Sequence, residues 1–188
     1  MRNIAIFASG SGTNAENICK YFENSDLATV SLILCNNSNA YVLKRAEKMG
    51  VPATVFTREE LRNGDVLRIL KQNKIDFIVL AGFLWLIPKD IIAAYDKKII
   101  NIHPALLPKY GGKGMYGDNV HKAVHEAGEK KSGITIHLVD ENFDEGDIIF
   151  QAETDITPQD TPETIAAKVH ELEYRYFPEI IKKTITVK

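Results

Sequence analysis

The opening stretch Asn3 to Ser9 (NIAIFAS) runs straight into Gly10-Ser11-Gly12-Thr13-Asn14, and Ile18, Tyr21 and Phe22 then recur at helical spacing. That succession reads as strand, glycine loop and helix. The same alternation continues downstream. TVSLILCN (29–36) is a buried strand, residues about 41 to 49 form a helix that ends at Gly50, and residues about 59 to 73 form another helix. DFIVLAG, a short helix after Pro88 and the strand KIINIH follow. Strands separated by helices require right-handed crossovers, hence a parallel sheet covered on both faces. The expected fold class is therefore α/β, a Rossmann-like three-layer domain. The later sequence differs: SGITIHLVD (132–140) and GDIIFQAETDI (146–156) are two strands joined by a short acidic turn, which suits an antiparallel pair. The sheet should be mixed but mostly parallel. A last helix from about Pro162 carries Ile165, Val169, Leu172 and Tyr176 on one face, with a kink expected at Pro178.

Composition narrows the class of function. At 188 residues the chain fits one domain, and a net charge of −2 provides no bulk attraction to nucleic acid or to an anionic membrane. An anionic ligand must be held locally. Cys19 and Cys35 have no CxxC partner and read as reduced structural thiols. The longest apolar stretch, Phe77 to Ile87, stops at Pro88, short of the ~18 residues that a membrane span needs. The run before Gly10 is too short for a signal peptide, so a cytoplasmic location is expected.

Chemistry-bearing residues fall into a few groups. The Gly10–Asn14 segment lies between a strand and its helix, where backbone N–H groups and the positive helix end favour a phosphate. It is not a Walker A loop, since no Gly-Lys-Ser/Thr follows, and Ala15 breaks the GxGxxG spacing. Asn101 and His103 are two residues apart at the end of a strand, so both side chains aim at one point. Pro104 and Pro108 stiffen the exit, and PKYGGKGMYGD (108–118) is a candidate mobile loop. Asp140, Glu141, Asp144, Glu145 and Asp147 cluster in the later turn. One of these carboxylates returning to His103 would hold it as imidazolium, and spacing alone does not choose which. His121 and His125 are four apart on a helix, but Lys122 stands where HExxH has its glutamate; both histidines read as a solvated face, not a metal site. His137 faces opposite to Ile136 and Leu138, towards either a cleft or water, and His170 and Glu173 share a helix face.

With these pieces in order the chain resembles the phosphoribosylglycinamide formyltransferases, a family of folate-dependent enzymes of purine synthesis. The resemblance spans essentially all 188 residues, through NIAIFASGSGTN, DFIVLAGFLWLIP, NIHPALLPKY, GITIHLVDENFDEGDIIFQ and VHELEYRYFP. It implies a single domain over 1–188, with 1–100 mainly the phosphate-binding βαβ part and 101–188 mainly the catalytic and folate-binding part. It further implies that Asn101, His103 and Asp144 are catalytic. Gly12, Thr13, Asn14, His170 and Glu173 would bind the ribonucleotide. Leu84, Trp85, Leu86, Ile87, Val139, Asp140, Glu141, Asn142 and Phe143 would line the folate pocket. The co-substrate implied is 10-formyltetrahydrofolate, with no metal; the other substrate is glycinamide ribonucleotide, and the protein is expected as a monomer or weak homodimer. Trp85 departs from the family, many of whose members carry Arg there, and DEG (144–146) replaces the more usual Asp-Gly-Gly or Asp-Ala-Gly. A methionyl-tRNA formyltransferase would be expected to show a C-terminal RNA-binding domain and a basic excess. A formyltetrahydrofolate hydrolase would be expected to carry an extra N-terminal domain. A third reading, a nucleotide-binding regulatory module, leaves Asn101 and His103 unexplained.

Overall fold

The computed structural model describes residues 1–186. Its strands are β1 (Arg2–Ala8), β2 (Ala28–Cys35), β3 (Ala53–Val55), β4 (Phe77–Leu80), β5 (Ile99–His103), β6 (Lys131–Leu138) and β7 (Ile148–Asp155). Its helices are α1 (Thr13–Phe22), α2 (Tyr41–Met49), α3 (Arg58–Arg62), α4 (Asp65–Gln72), α5 (Lys89–Ala94), α6 (Asp118–Glu126) and α7 (Pro162–Thr186). The seven strands form one sheet in the order β3-β2-β1-β4-β5-β6-β7. β1 to β5 pair in parallel, and β6 and β7 add on antiparallel.

The two-residue period of each strand splits the core in two. Ile4 and Ile6 join Ile18 of α1, Val42 of α2, Val120 of α6 and Val169 and Phe177 of α7 on one face. Ala5 and Phe7 join Leu61 of α3, Val66 and Leu70 of α4 and Ile91 of α5 on the other. Burying a side chain such as Phe7 or Phe177 contributes ~1.5–3 kcal/mol relative to exposure. The sheet therefore has helices on both faces. Strand order reverses between β1 and β4, which opens a crevice beyond the carboxyl ends of β1, β4 and β5.

Several details differ from what the sequence suggests. The helix expected over about 59 to 73 is two helices, because Gly64 takes φ +90 and breaks it after Asn63. Thr57 opens the first piece with a reciprocal capping box to Glu60, whose Oε2 accepts from Thr57 N at 2.7 Å. The strand β3 is too short and too exposed to show any periodicity. The connection from β6 to β7 is a loop over 139–147, not a tight turn. Helix α7 carries Pro178 in its interior, within the span the sequence assigned to the last helix. Proline has no N–H for the carbonyl four residues back, Tyr174 O, which instead accepts from Asn17 Nδ2 at 2.8 Å and ties α7 to α1. No helix among the described residues is long and apolar enough to cross a membrane.

Candidate active site

Asn101 and His103 leave the end of β5 on the same face, as the strand period dictates. Antiparallel pairing then sets His137 of β6 opposite Asn101 and Thr135 opposite His103. His137 Nδ1 lies 2.7 Å from Leu138 O. A carbonyl only accepts, so Nδ1 carries the hydrogen and, in the neutral ring, Nε2 accepts from Asn101 Nδ2 at 3.1 Å. His137 thus turns away from water and sits behind the cleft wall, against Asn101 and Asp144.

Asp144 enters from the 139–147 loop at φ +58. Its Oδ2 accepts from Gly112 N at 2.9 Å and lies 3.4 Å from His103 Nδ1. Its Oδ1 accepts from Asn101 Nδ2 at 3.4 Å. The loop can bring Asp144 here because Gly146 packs against the backbone of Leu138, where an added Cβ would run into the carbonyl oxygen. The other acids do different work: Asp140 Oδ1 accepts from Asn142 N at 2.9 Å, Glu141 pairs with Lys89, and Glu145 and Asp147 point to no partner in the cleft.

His103 is 3% exposed, and its Nε2 donates to Tyr110 O at 2.7 Å. Burial pushes its pKa below the ordinary imidazole value, although Asp144 and the Tyr110 carbonyl pull it up. Desolvation outweighs the facing carboxylate and favours the neutral ring, against the imidazolium that a returning carboxylate by itself would favour. Burial pushes the Asp144 carboxyl up, but His137, His103 and the Gly112 N–H together hold it below the usual carboxylate range. Asp144 is therefore ionised at neutral pH.

One end of the cleft is polar. Gly12, at φ +74, is the N-cap of α1 and offers no side-chain cap, so the first N–H groups stay open to a ligand. A Cβ on Gly12 would run into Val42, and Arg45 Nε donates to Ser11 O at 2.9 Å while its guanidinium pairs with Glu16. Asn14 Nδ2 donates to Glu173 Oε2 at 2.9 Å, and His170 Nδ1 donates to the same oxygen at 2.8 Å. That bond raises the His170 pKa, while Glu173 itself is 4% exposed.

The other end is apolar, with Leu84, Trp85, Leu86 and Ile87 facing Glu141, Asn142 and Phe143. The Arg58 guanidinium lies 4.6 Å above the Trp85 ring. Both ends and the Asn101–His103–Asp144 group belong to one cleft of about 1080 Å³. Val139 and Asp140 do not reach it: Val139 packs against the core that includes Ile99, and Asp140 is turned into its own loop.

His121 is also placed differently from the solvated face expected of it. It is 2% exposed and lines the cleft, because Val120 and Val124 turn that face of α6 inward; His125 is exposed as expected. The Val120–Val124 spacing was the available signal. Arg58 and the Tyr110 carbonyl left none, since a cation stacked on a ring and a backbone acceptor depend on chain segments meeting in space. Burial pushes the Cys19 thiol up to about 12, which removes it as a nucleophile.

The family described as Formyl transferase matches residues 2–181. The phosphoribosylglycinamide formyltransferase of Bacillus subtilis is 38% identical over 192 residues, covering 98% of this chain and 95% of that protein. The chloroplastic phosphoribosylglycinamide formyltransferases of Arabidopsis thaliana and Vigna unguiculata are each 37% identical over 187 residues, 96% of this chain; it spans only 64% and 60% of their lengths. The crystal structure of phosphoribosylglycinamide formyltransferase from Bacillus halodurans superposes with a TM-score of 0.89 at 35% identity, covering 98% of this chain and 96% of that one. That of glycinamide ribonucleotide transformylase 1 from Geobacillus kaustophilus gives 0.89 at 36% identity, covering 98% and 99%.

Proposed function

The chain belongs to the formyl transferase family, and from that premise we propose that it moves the formyl group of 10-formyltetrahydrofolate to the primary amine of glycinamide ribonucleotide. One observation carries the reading. Asn101, His103, His137 and Asp144, drawn from two strands and a loop, converge where a helix end suited to phosphate meets an apolar recess suited to a pterin.

The phosphate sits on the open N–H groups of Gly12, Thr13 and Asn14, and Glu173 accepts from the ribose hydroxyls. His170, anchored on Glu173, borders the same end. The folate ring lies along Leu84–Ile87 and Glu141–Phe143, and Arg58, shelved on Trp85, meets the acidic tail. The amine attacks the formyl carbon and a tetrahedral oxyanion forms. The resting His103–Asp144 pair has room for one proton at Nδ1, so it accepts the proton leaving the amine and returns it to folate N10 as the carbon–nitrogen bond breaks. Asn101, turned from His137, and His103 in its protonated form donate to the oxyanion. Such donors are worth ~10²- to 10³-fold each in rate. Charge at every step rests on side chains, so the route asks for no metal.

Incubating the protein with 10-formyltetrahydrofolate and glycinamide ribonucleotide, and following tetrahydrofolate release together with formylated product, tests this directly. Product without turnover on methionyl-tRNA is the expected result. Tetrahydrofolate released with no acceptor present and none formylated would replace transfer by hydrolysis.

A further inference from the structure

His121 stands on the first turn of α6, 2% exposed, with Nδ1 buried and lacking any hydrogen-bond partner among the described residues. Packing alone does not call for a histidine there, because Val120 and Val124 already supply the apolar contact of this helix with the core. A buried ring nitrogen without a partner weakens the folded state, so its presence needs another cause. The ring forms part of the cleft wall and lies 6.3 Å from His170, edge to face. His170 is fixed on Glu173, which in turn holds Asn14 on the first turn of α1. Two imidazoles and a helix N-terminus thus border one compartment from α6, α7 and α1.

We propose that His121 is a binding residue for the phosphate of the ribonucleotide, closing with His170 and the amide end of α1 a three-sided anion cradle. This rests on the substrate reading above. A phosphate oxygen suits this compartment better than a sugar hydroxyl, because Glu173 already provides the acceptor that hydroxyls need, whereas imidazole N–H groups are donors. The groups facing His121 are His170 and Glu173 of α7, Asp118 of its own helix and His103 of β5. Burial and His170 keep the free ring neutral, and an arriving dianion offsets both, so binding draws a proton onto His121.

The test compares wild type with His121→Leu and His121→Asn. Loss of a hydrogen bond to a charged oxygen should raise KM for glycinamide ribonucleotide about 10- to 100-fold in His121→Leu. KM for the folate should stay within about twofold and kcat within about threefold. The Leu protein without ligand should melt higher than wild type, because an unpaired buried nitrogen has gone; a residue kept for structure would lower it. His121→Asn, which places an amide near the Nδ1 position, should recover most of the affinity. Glycinamide riboside, which lacks the phosphate, should be used equally well by wild type and His121→Leu. An unchanged KM for the ribonucleotide, or the same penalty with the riboside, overturns the assignment. Calorimetric binding of ribose 5-phosphate keeps the two readings apart. If wild type fails to formylate glycinamide ribonucleotide, the substrate reading falls, while loss or retention of ribose 5-phosphate binding in His121→Leu still decides the role of His121.

Discussion

Replacing Thr135 by Val changes one hydroxyl into a methyl of nearly the same size, and it should cost far more than that exchange suggests. Thr135 is fully buried, opposite His103 in the sheet. Its Oγ1 donates to Ala105 O at 2.7 Å and accepts from Leu107 N at 3.0 Å, so it pins the segment that leaves β5. Valine leaves both backbone groups without a partner, in residues that are 1% and 6% exposed. An unsatisfied buried group costs ~1–3 kcal/mol, so two cost roughly 2–5 kcal/mol once some relaxation is allowed. Gln151 Nε2 loses Oγ1 as well but keeps Leu107 O at 3.0 Å, which limits the damage. For a chain of this size each kcal/mol moves the midpoint by ~2–4 °C, so the Tm should fall by about 4–20 °C. Thr135→Ser is the control, since it keeps the hydroxyl and removes one methyl, worth ~1 kcal/mol. Thermal melts and urea titrations followed by circular dichroism measure both. Turnover of the valine protein should also fall below that of the serine protein, because the pinned segment runs on to Tyr110, whose carbonyl holds His103. If valine costs no more than serine, the hydroxyl does not hold the loop and the reasoning fails.

Asp144→Asn should lower kcat at least ~10²-fold, since it removes the charge that stabilises protonated His103 during proton transfer; a variant with near-normal kcat and an unchanged melt would take Asp144 out of the reaction. Stability should fall with pH below 6.5: burial, chiefly, holds His103 and His121 beneath that ordinary value in the folded state. Their neutral forms stabilise the fold fully above 6.5, and that contribution is lost as the pH drops through the folded-state values. His170, raised by its bond to Glu173, works in the opposite sense and is stabilising below 6.5. A melting temperature that rises on going from about pH 7 to about pH 5 would contradict the burial argument, and kcat/KM should show an acid limb in the same window because His103 must start unprotonated. Gly12→Ala should destabilise the protein and raise KM for the ribonucleotide more than KM for the folate, since its φ of +74 and the adjacent Val42 leave no place for a Cβ. Equal changes in both KM values would separate the loop from phosphate binding.

Local periodicity determined much of this molecule. The alternation of strands and helices, the antiparallel late pair, the Gly10–Asn14 turn at the head of α1 and the shared face of Asn101 and His103 all follow from rules that act over a few residues. Resemblance, and not spacing, singled out Asp144 among the five acids at 140–147. Its place beside His103 depends on Gly112 N and on the close approach of Gly146 to Leu138, both brought there by the fold. The burial of His121, the stacking of Arg58 on Trp85 and the order of the strands were likewise settled by distant segments meeting. The charge of His103 shows the reason most directly. A carboxylate in reach argues for imidazolium, yet the cost of desolvation is set by how completely the surrounding strands and loops exclude water, and that is a property of the closed tertiary fold.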